Sequence, residues 1–192
     1  SASHDLRQPL NAMQMYIAAL KSKVKDKDAL TIIEDINSVS ASTARLLNAL
    51  LDVSELEVGA IKPRHEEFPI NEIFTSISQS FEPLAKEKNL SFRIVPSSIF
   101  VKSDPDLLER IIGNYMSNAI RYTETGSVLI GCRRRGDMAS IEVWDTGCGI
   151  SENQMQSIFE DFYQIENKER DRSKGLGLGL ALAKRLSVSL NH

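Results

Sequence analysis

Leu6, Leu10, Met13, Ile17, Leu20 and Val24 recur at spacings of 4, 3, 4, 3 and 4, and this seam constrains the fold more than any other feature of the chain. A period of 3.5 residues marks a helix that packs lengthwise on another helix. Lys25-Asp26-Lys27-Asp28 interrupts it with charge. A second seam follows at Ile32, Ile36, Val39, Thr43, Leu46, Leu50 and Val53, widened by Ile33, Ala44, Leu47 and Leu51. Two helices joined by a few residues make an antiparallel hairpin. A hairpin cannot cover two such wide apolar faces alone. The pattern therefore predicts a second copy and a four-helix bundle, a homodimer through residues 4–57. The competing arrangement packs the hairpin on its own downstream domain.

Gly59 and Pro63 end the second helix and set the expected boundary, with one domain over residues 1–60 and another over 61–192. Beyond it the pattern turns mixed. A helix is predicted over 70–87 and strands over 90–95 and 100–102. Asp104-Pro105 reads as an N-cap followed by proline at the first helical position. The helix it opens carries Leu107, Leu108, Ile111, Ile112, Tyr115, Met116 and Ala119. Turns at Thr125-Gly126 and Gly136-Asp137 bracket strands over 127–134 and 139–145. Strands in tandem beside several helices predict an α+β fold, with the helical hairpin followed by a two-layer α/β sandwich and not a doubly wound parallel sheet.

The formal net charge of −3 over 192 residues gives no reason to expect nucleic acid as a partner. Cys132 and Cys148 are the only cysteines, which makes neither a disulfide framework nor a zinc site and points to reduced thiols in a cytoplasmic setting. No apolar run reaches the roughly 18 residues of a membrane span. The first helix begins abruptly at residue 1, so the chain is expected to be part of a longer protein, anchored to a membrane only through parts outside it.

Four short segments carry candidate chemistry. At the head of the first helix, His4 sits beside Asp5, with Pro9 one turn on. An imidazole is a good nucleophile near neutral pH, and a neighbouring acid can orient it and take its proton. Pro9 has no N–H for the carbonyl of Asp5 and should bend the helix there. Taken alone, the pair reads more readily as ordinary surface residues, and the rest of the chain decides the matter. Asn114 and Asn118 lie one helical turn apart, with Arg121 and Tyr122 next to them. An amide oxygen can ligate Mg²⁺, an arginine can pair with phosphate, and a ring can lie on a purine. A plain solvated helix face would look the same.

Asp145-Thr146-Gly147-Cys148-Gly149 ends a strand. Its carboxylate can accept from an exocyclic amine such as that of adenine, and Gly147 and Gly149 let backbone approach a flat ligand; a capped turn is the alternative. Gly175, Gly177 and Gly179 alternate at the start of the last helix, where free N–H groups suit phosphate oxygens. Lys168, Arg170, Arg172 and Lys174 precede them, the composition of a lid over anions.

In order and together, these segments resemble the catalytic core of two-component sensor histidine kinases over essentially the whole chain. SHDLRQPL resembles that family's phosphoacceptor box, NYMSNAIRYT its N box, DTGCGI its first glycine box, IFEDFY its F box and GLGLGLAL its second glycine box. The first of these is especially similar to hybrid kinases, which carry receiver domains downstream. The resemblance implies ATP and Mg²⁺ as cofactors and a response-regulator receiver aspartate as partner. It implies His4 as phosphoacceptor, Asp5 as general base and Arg7 at the transferring phosphoryl group. It implies Asn118 as the Mg²⁺ ligand, with Asn114 and Arg121 at the phosphates and Tyr122 flanking the nucleotide. It implies that Asp145 reads the adenine amine, and that Gly175, Gly177 and Gly179, with Lys174, shape the lid and phosphate site.

ATPases and chaperones of the same nucleotide fold carry a water-activating glutamate one turn before the metal-binding asparagine. Asn114 stands there, which favours transfer to His4 over hydrolysis. Three departures from the family pattern stand out. Gln8 occupies a position where Thr or Asn orients water for receiver dephosphorylation, Leu176 replaces Thr or Ser, and the sandwich's closing strands would follow His192. A non-catalytic dimeric scaffold and a receiver phosphatase are the alternatives to a kinase.

Overall fold

The computed structural model describes residues 2–57, 62–165 and 177–192. They form two compact units, one within residues 1–60 and the other from residue 61 onward.

The first unit is a helical hairpin, α1 (Ala2–Lys23) and α2 (Lys27–Glu57). Helix α1 runs through Pro9 as one element. Asp26 makes the turn: its Oδ1 accepts the Ala29 N–H at 2.9 Å and caps α2, so the second helix starts inside the charged break. Ile17 and Ile33 are buried, and Lys21 Nζ reaches Glu34 Oε1 across the hairpin at 3.0 Å. Met13, Leu20, Ile32, Ile36, Val39 and Leu50 remain exposed. The two apolar edges of α2 thus do different work: Ile33 is buried within the hairpin, while Ile32, Ile36 and Val39 stay in water.

The second unit is a mixed α/β layer structure. Strand β1 (Glu66–Pro69) leads into α3 (Asn71–Glu87), followed by β2 (Ser91–Ile94), β3 (Phe100–Ser103) and α4 (Pro105–Tyr122). A long hairpin, β4 (Ser127–Arg135) and β5 (Met138–Asp145), comes next, and α5 (Gly179–Ser189) closes the described chain. β1 pairs antiparallel with β3, Glu66 opposite Ser103. In the three-stranded sheet β4 is central, parallel to β2 and antiparallel to β5. The parallel pair needs a crossover, and α4 lies within it.

Alternation places Val128 and Ile130 of β4 in the core with no exposed surface, beneath Phe74 and Ile77 of α3 and Ile112 and Met116 of α4. Helix α5 buries Ala181, Leu182, Ala183 and Leu186 and packs on α4. Asp104 caps α4 as the sequence predicts, its Oδ1 accepting the Leu107 N–H at 3.0 Å with Pro105 at the first helical position. No described helix is long and apolar enough to cross a membrane.

Candidate functional site

Helix α4 carries Asn114 and Asn118 on one stripe, both half-buried, with Arg121 and Tyr122 in its last turn. Asn114 is tied back to its own helix, its Nδ2 donating to the Arg110 carbonyl at 2.9 Å. This leaves its amide oxygen directed elsewhere. Lys88, from the turn after α3, donates through Nζ to the carbonyls of Ile120 and Arg121 at 2.9 Å each. A cation on the last carbonyls of a helix opposes the negative end of its dipole, so the turn bearing Arg121 and Tyr122 is held.

The loop after β5 lies directly against that turn. A Cβ on Gly147 would come within 2.5 Å of the Tyr122 carbonyl oxygen and 2.9 Å of Asp145 Oδ1. Only glycine fits there. Asp145 is exposed, and its Oδ1 accepts the Gly147 N–H at 2.9 Å. Thr146 staples the loop to the start of β4: its N–H donates to the Ser127 carbonyl at 3.1 Å and its Oγ1 accepts the Ser127 N–H at 3.0 Å. Gly149, with φ of +69°, turns the chain away.

The last helix meets the same stripe. A Cβ on Gly179, the first residue of α5, would lie 3.0 Å from Asn114 Oδ1. Gly177 has φ of +71°, and its Cβ would come within 2.5 Å of the Tyr163 carbonyl oxygen. Leu178, at the N-cap position of α5, makes no side-chain cap hydrogen bond. The segment before Tyr163 is fastened to α5 by Arg185 Nη2 donating to Asp161 Oδ2 at 2.5 Å and by Lys184 Nζ 5.5 Å from the Phe159 ring centroid. Phe162, with φ of +61°, carries backbone strain beside that anchor.

The structure brings Gly147, in the loop of Asp145 and Gly149, against Tyr122, and Gly179 against Asn114; Asn118 and Arg121 share α4 with Asn114 and Tyr122, and Gly177 abuts Tyr163. Lys174 and Gly175 lie outside the described residues. His4, Asp5 and Arg7 fall on α1, in the other unit, and their side chains also lie outside what is described. Sequence reasoning missed Lys88, Thr146 and the Arg185–Asp161 pair. Thr146 had a signal, a hydroxyl inside the strand-end glycine loop; Lys88 had none, being one lysine among many on a polar turn. Two clefts lined by Leu108, Ile111, Tyr115, Ile141, Val143 and Trp144, among others, share none of the candidate residues.

The family described as His Kinase A (phospho-acceptor) domain matches residues 1–59, and the family described as Histidine kinase-, DNA gyrase B-, and HSP90-like ATPase matches residues 103–192. The sensor histidine kinase RcsC of Escherichia coli K12 is 31% identical over 168 residues, covering 86% of this chain and 18% of that protein. The autoinducer 2 sensor kinase/phosphatase LuxQ of Vibrio vulnificus is 30% identical over 174 residues, covering 86% of this chain and 20% of that protein. The crystal structure of full-length ShkA in complex with AMPPNP superposes with a TM-score of 0.76 at 25% identity, covering 99% of this chain and 40% of that one. The chain belongs to the sensor histidine kinases. It spans about a fifth of the length of the curated relatives it matches.

Proposed function

We propose that this chain is the core of a protein-histidine kinase that transfers the γ-phosphoryl group of ATP to His4 and then to the aspartate of a receiver domain. The observation that carries the reading is the close approach of Gly147 to the Tyr122 carbonyl, which sets the Asp145 loop against the helix of Asn114 and Asn118. In this reading the exposed Asp145 carboxylate accepts from the adenine amine, and the ring of Tyr122 flanks the base. Asn114, Arg121 and the first N–H groups of α5 face the phosphates.

The residues fit Mg²⁺ as well as ATP. The Asn118 amide supplies a hard oxygen ligand, and no group of three or more His, Cys, Asp or Glu side chains among the described residues forms a separate metal cage. Mg²⁺ suits such a sparse site because it takes most of its ligands from phosphates and water. When bound it would neutralise charge on the transferring phosphate.

In the transfer itself an imidazole nitrogen of His4 attacks the γ-phosphorus. The N–P bond forms as the bond to the β–γ bridging oxygen breaks and ADP leaves. Asp5 takes the proton from the other ring nitrogen, and Arg7 offsets the charge on the equatorial oxygens. In the relay the N–P bond breaks as a receiver carboxylate oxygen bonds to phosphorus. The hybrid kinase among the relatives and the exposed apolar row of the hairpin support a receiver partner and a homodimer.

The test is incubation of the full-length protein with γ-labelled ATP and Mg²⁺. Acid-labile, alkali-stable label that disappears in His4→Gln is expected. A full-length protein that dimerises and binds ATP yet takes no label would be a scaffold. The phosphatase reading draws on the likeness to LuxQ, a sensor kinase/phosphatase; against it, Gln8 is an exposed amide where the resemblance implies Thr or Asn. A receiver that loses label faster in the presence of this protein without ADP would favour it.

A further inference from the structure

We infer that Lys88 is a positioning residue for adenine recognition: its ammonium fixes the last turn of α4, and through that turn the seat of the loop that carries Asp145. The inference rests on the kinase reading above, in which Asp145 accepts from the adenine amine.

The last four carbonyls of a helix have no partner within it. In α4 three are taken by donors and the fourth is walled by a glycine. The Ala119 carbonyl accepts the Thr123 N–H at 3.2 Å. Those of Ile120 and Arg121 accept from Lys88 Nζ at 2.9 Å each. That of Tyr122 faces Gly147, where an added Cβ would come within 2.5 Å. The same Cβ would stand 2.9 Å from Asp145 Oδ1, so the Tyr122 carbonyl and the Asp145 carboxylate flank one space too small for a methyl group. Lys88 bonds the two carbonyls just before the one that forms a wall of that space.

The backbone puts Lys88 there. Asn89, with φ of +56°, ends α3, and the Leu90 N–H returns to the Ala85 carbonyl at 2.9 Å with Leu90 buried in the core. Around the turn that Lys88 reaches, Thr123 has no exposed surface and Ile120 is buried, so the bond to the Ile120 carbonyl is partly shielded from water. Water replaces a charged donor poorly at such a place. On its other side the Asp145 loop is tied by Thr146 to Ser127. With the strand side fixed, the α4 turn is the wall left to adjust, and Lys88 sets it. Reading of the adenine amine depends on that wall. Contacts to the phosphates from Asn114 and the start of α5 do not. Lys88 therefore governs the preference for adenine and not the affinity for triphosphates in general.

The test compares the β,γ-imido analogues of ATP and ITP, titrated calorimetrically into the full-length protein. The ITP base presents a carbonyl where adenine has its amine. Lys88→Met keeps the apolar stem and removes charge and donors. It is expected to weaken ATP-analogue binding about tenfold and leave ITP-analogue binding unchanged, so that the preference between them falls by the same factor. Lys88→Arg, which can still donate to both carbonyls, is expected to restore the preference. Lys86→Met is the control for net charge, since Lys86 pairs with Glu82 at 2.9 Å and should leave the preference as it is. Hydrogen exchange at the Thr123 and Gly147 amides of the nucleotide-free protein should speed up in Lys88→Met and not in Lys86→Met. An unchanged preference in Lys88→Met, equal losses for both triphosphates, or no recovery in Lys88→Arg would overturn the inference. A wild-type protein that does not prefer the ATP analogue would sink the adenine reading itself and this inference with it, a failure visible before any variant is made.

Discussion

The amide oxygen of Asn114 occupies the space beside Gly179, 3.0 Å from where a Cβ on that glycine would stand. One residue from the N box and one from the second glycine box therefore share a single van der Waals surface. The contact has a consequence that helix propensity alone would get wrong. Alanine is favoured over glycine in a helix by about 1 kcal/mol, so Gly179→Ala should leave the thermal midpoint unchanged or slightly raised. The new methyl must displace the Asn114 amide, whose Nδ2 is already committed to the Arg110 carbonyl. Affinity for an ATP analogue is expected to fall several-fold while stability holds. Calorimetric titration beside a thermal melt checks it, and equal affinity in the variant would remove Asn114 from the phosphate site.

Gly147 tolerates less. A methyl there meets the backbone oxygen of Tyr122 at 2.5 Å, and neither the helix end nor the loop can move independently. Lys88 holds one side and Thr146 the other. Gly147→Ala should push the Asp145 loop off α4 and weaken ATP-analogue binding by roughly tenfold or more, equivalent to about 1.4 kcal/mol. Gly136→Ala makes a suitable control: its φ is +62° but nothing lies within 4 Å of the added methyl, so it strains a turn remote from the site. Similar losses of affinity in both variants would show that loop strain, and not the Tyr122 contact, is responsible.

Local chemistry made much of this legible. Asp104-Pro105 announces a capped helix, and the bond to Leu107 delivers it. Alternation in residues 127–134 gives β4, because Val128 and Ile130 must face the core. Strand β1 was not legible. Glu66-Glu67-Phe68-Pro69 holds one buried residue and exists through its ladder with β3 some 34 positions away (Glu67 opposite Lys102 differs by 35). The parallel pairing of β2 with β4 was hidden for the same reason, since local periodicity says nothing about a partner across a crossover. At the site, the motifs marked which residues to watch. That Gly147 abuts Tyr122 and Gly179 abuts Asn114 depends on how α4, β5 and α5 meet, which no local window contains.

His192 offers a pH dependence. Burial, and secondarily the charge of His65, holds its imidazole below the ordinary value of 6.5. The unfolded chain therefore binds the proton more readily. The stabilisation is fully present above pH 6.5 and is lost as pH falls below it towards the depressed folded value. Protonation also removes the ring nitrogen's capacity to accept from Ser103 Oγ. Urea melts at about pH 5.5 and about pH 7.5 should show lower stability at the acid end, and His192→Gln should flatten the difference. An unchanged slope in that variant would assign the pH dependence to other groups.

The hairpin supplies the last prediction. Ile36 and Val39 are 48% and 66% exposed in the single hairpin, so replacing them removes little burial within one protomer. Surface changes of this kind usually move protomer stability by no more than about 0.5 kcal/mol. Each side chain would be worth about 1.5–3 kcal/mol if a second copy buried it fully, and a glutamate there would have to be desolvated without a partner. Ile36→Glu combined with Val39→Glu should therefore convert a dimer to a monomer, read as a halving of mass by light scattering over a concentration series. Helical content should fall at most slightly. Glu34→Gln, which disturbs only the exposed pair with Lys21, should leave the dimer intact. A double-glutamate variant that keeps the dimeric mass would place the subunit interface elsewhere and return this apolar row to solvent.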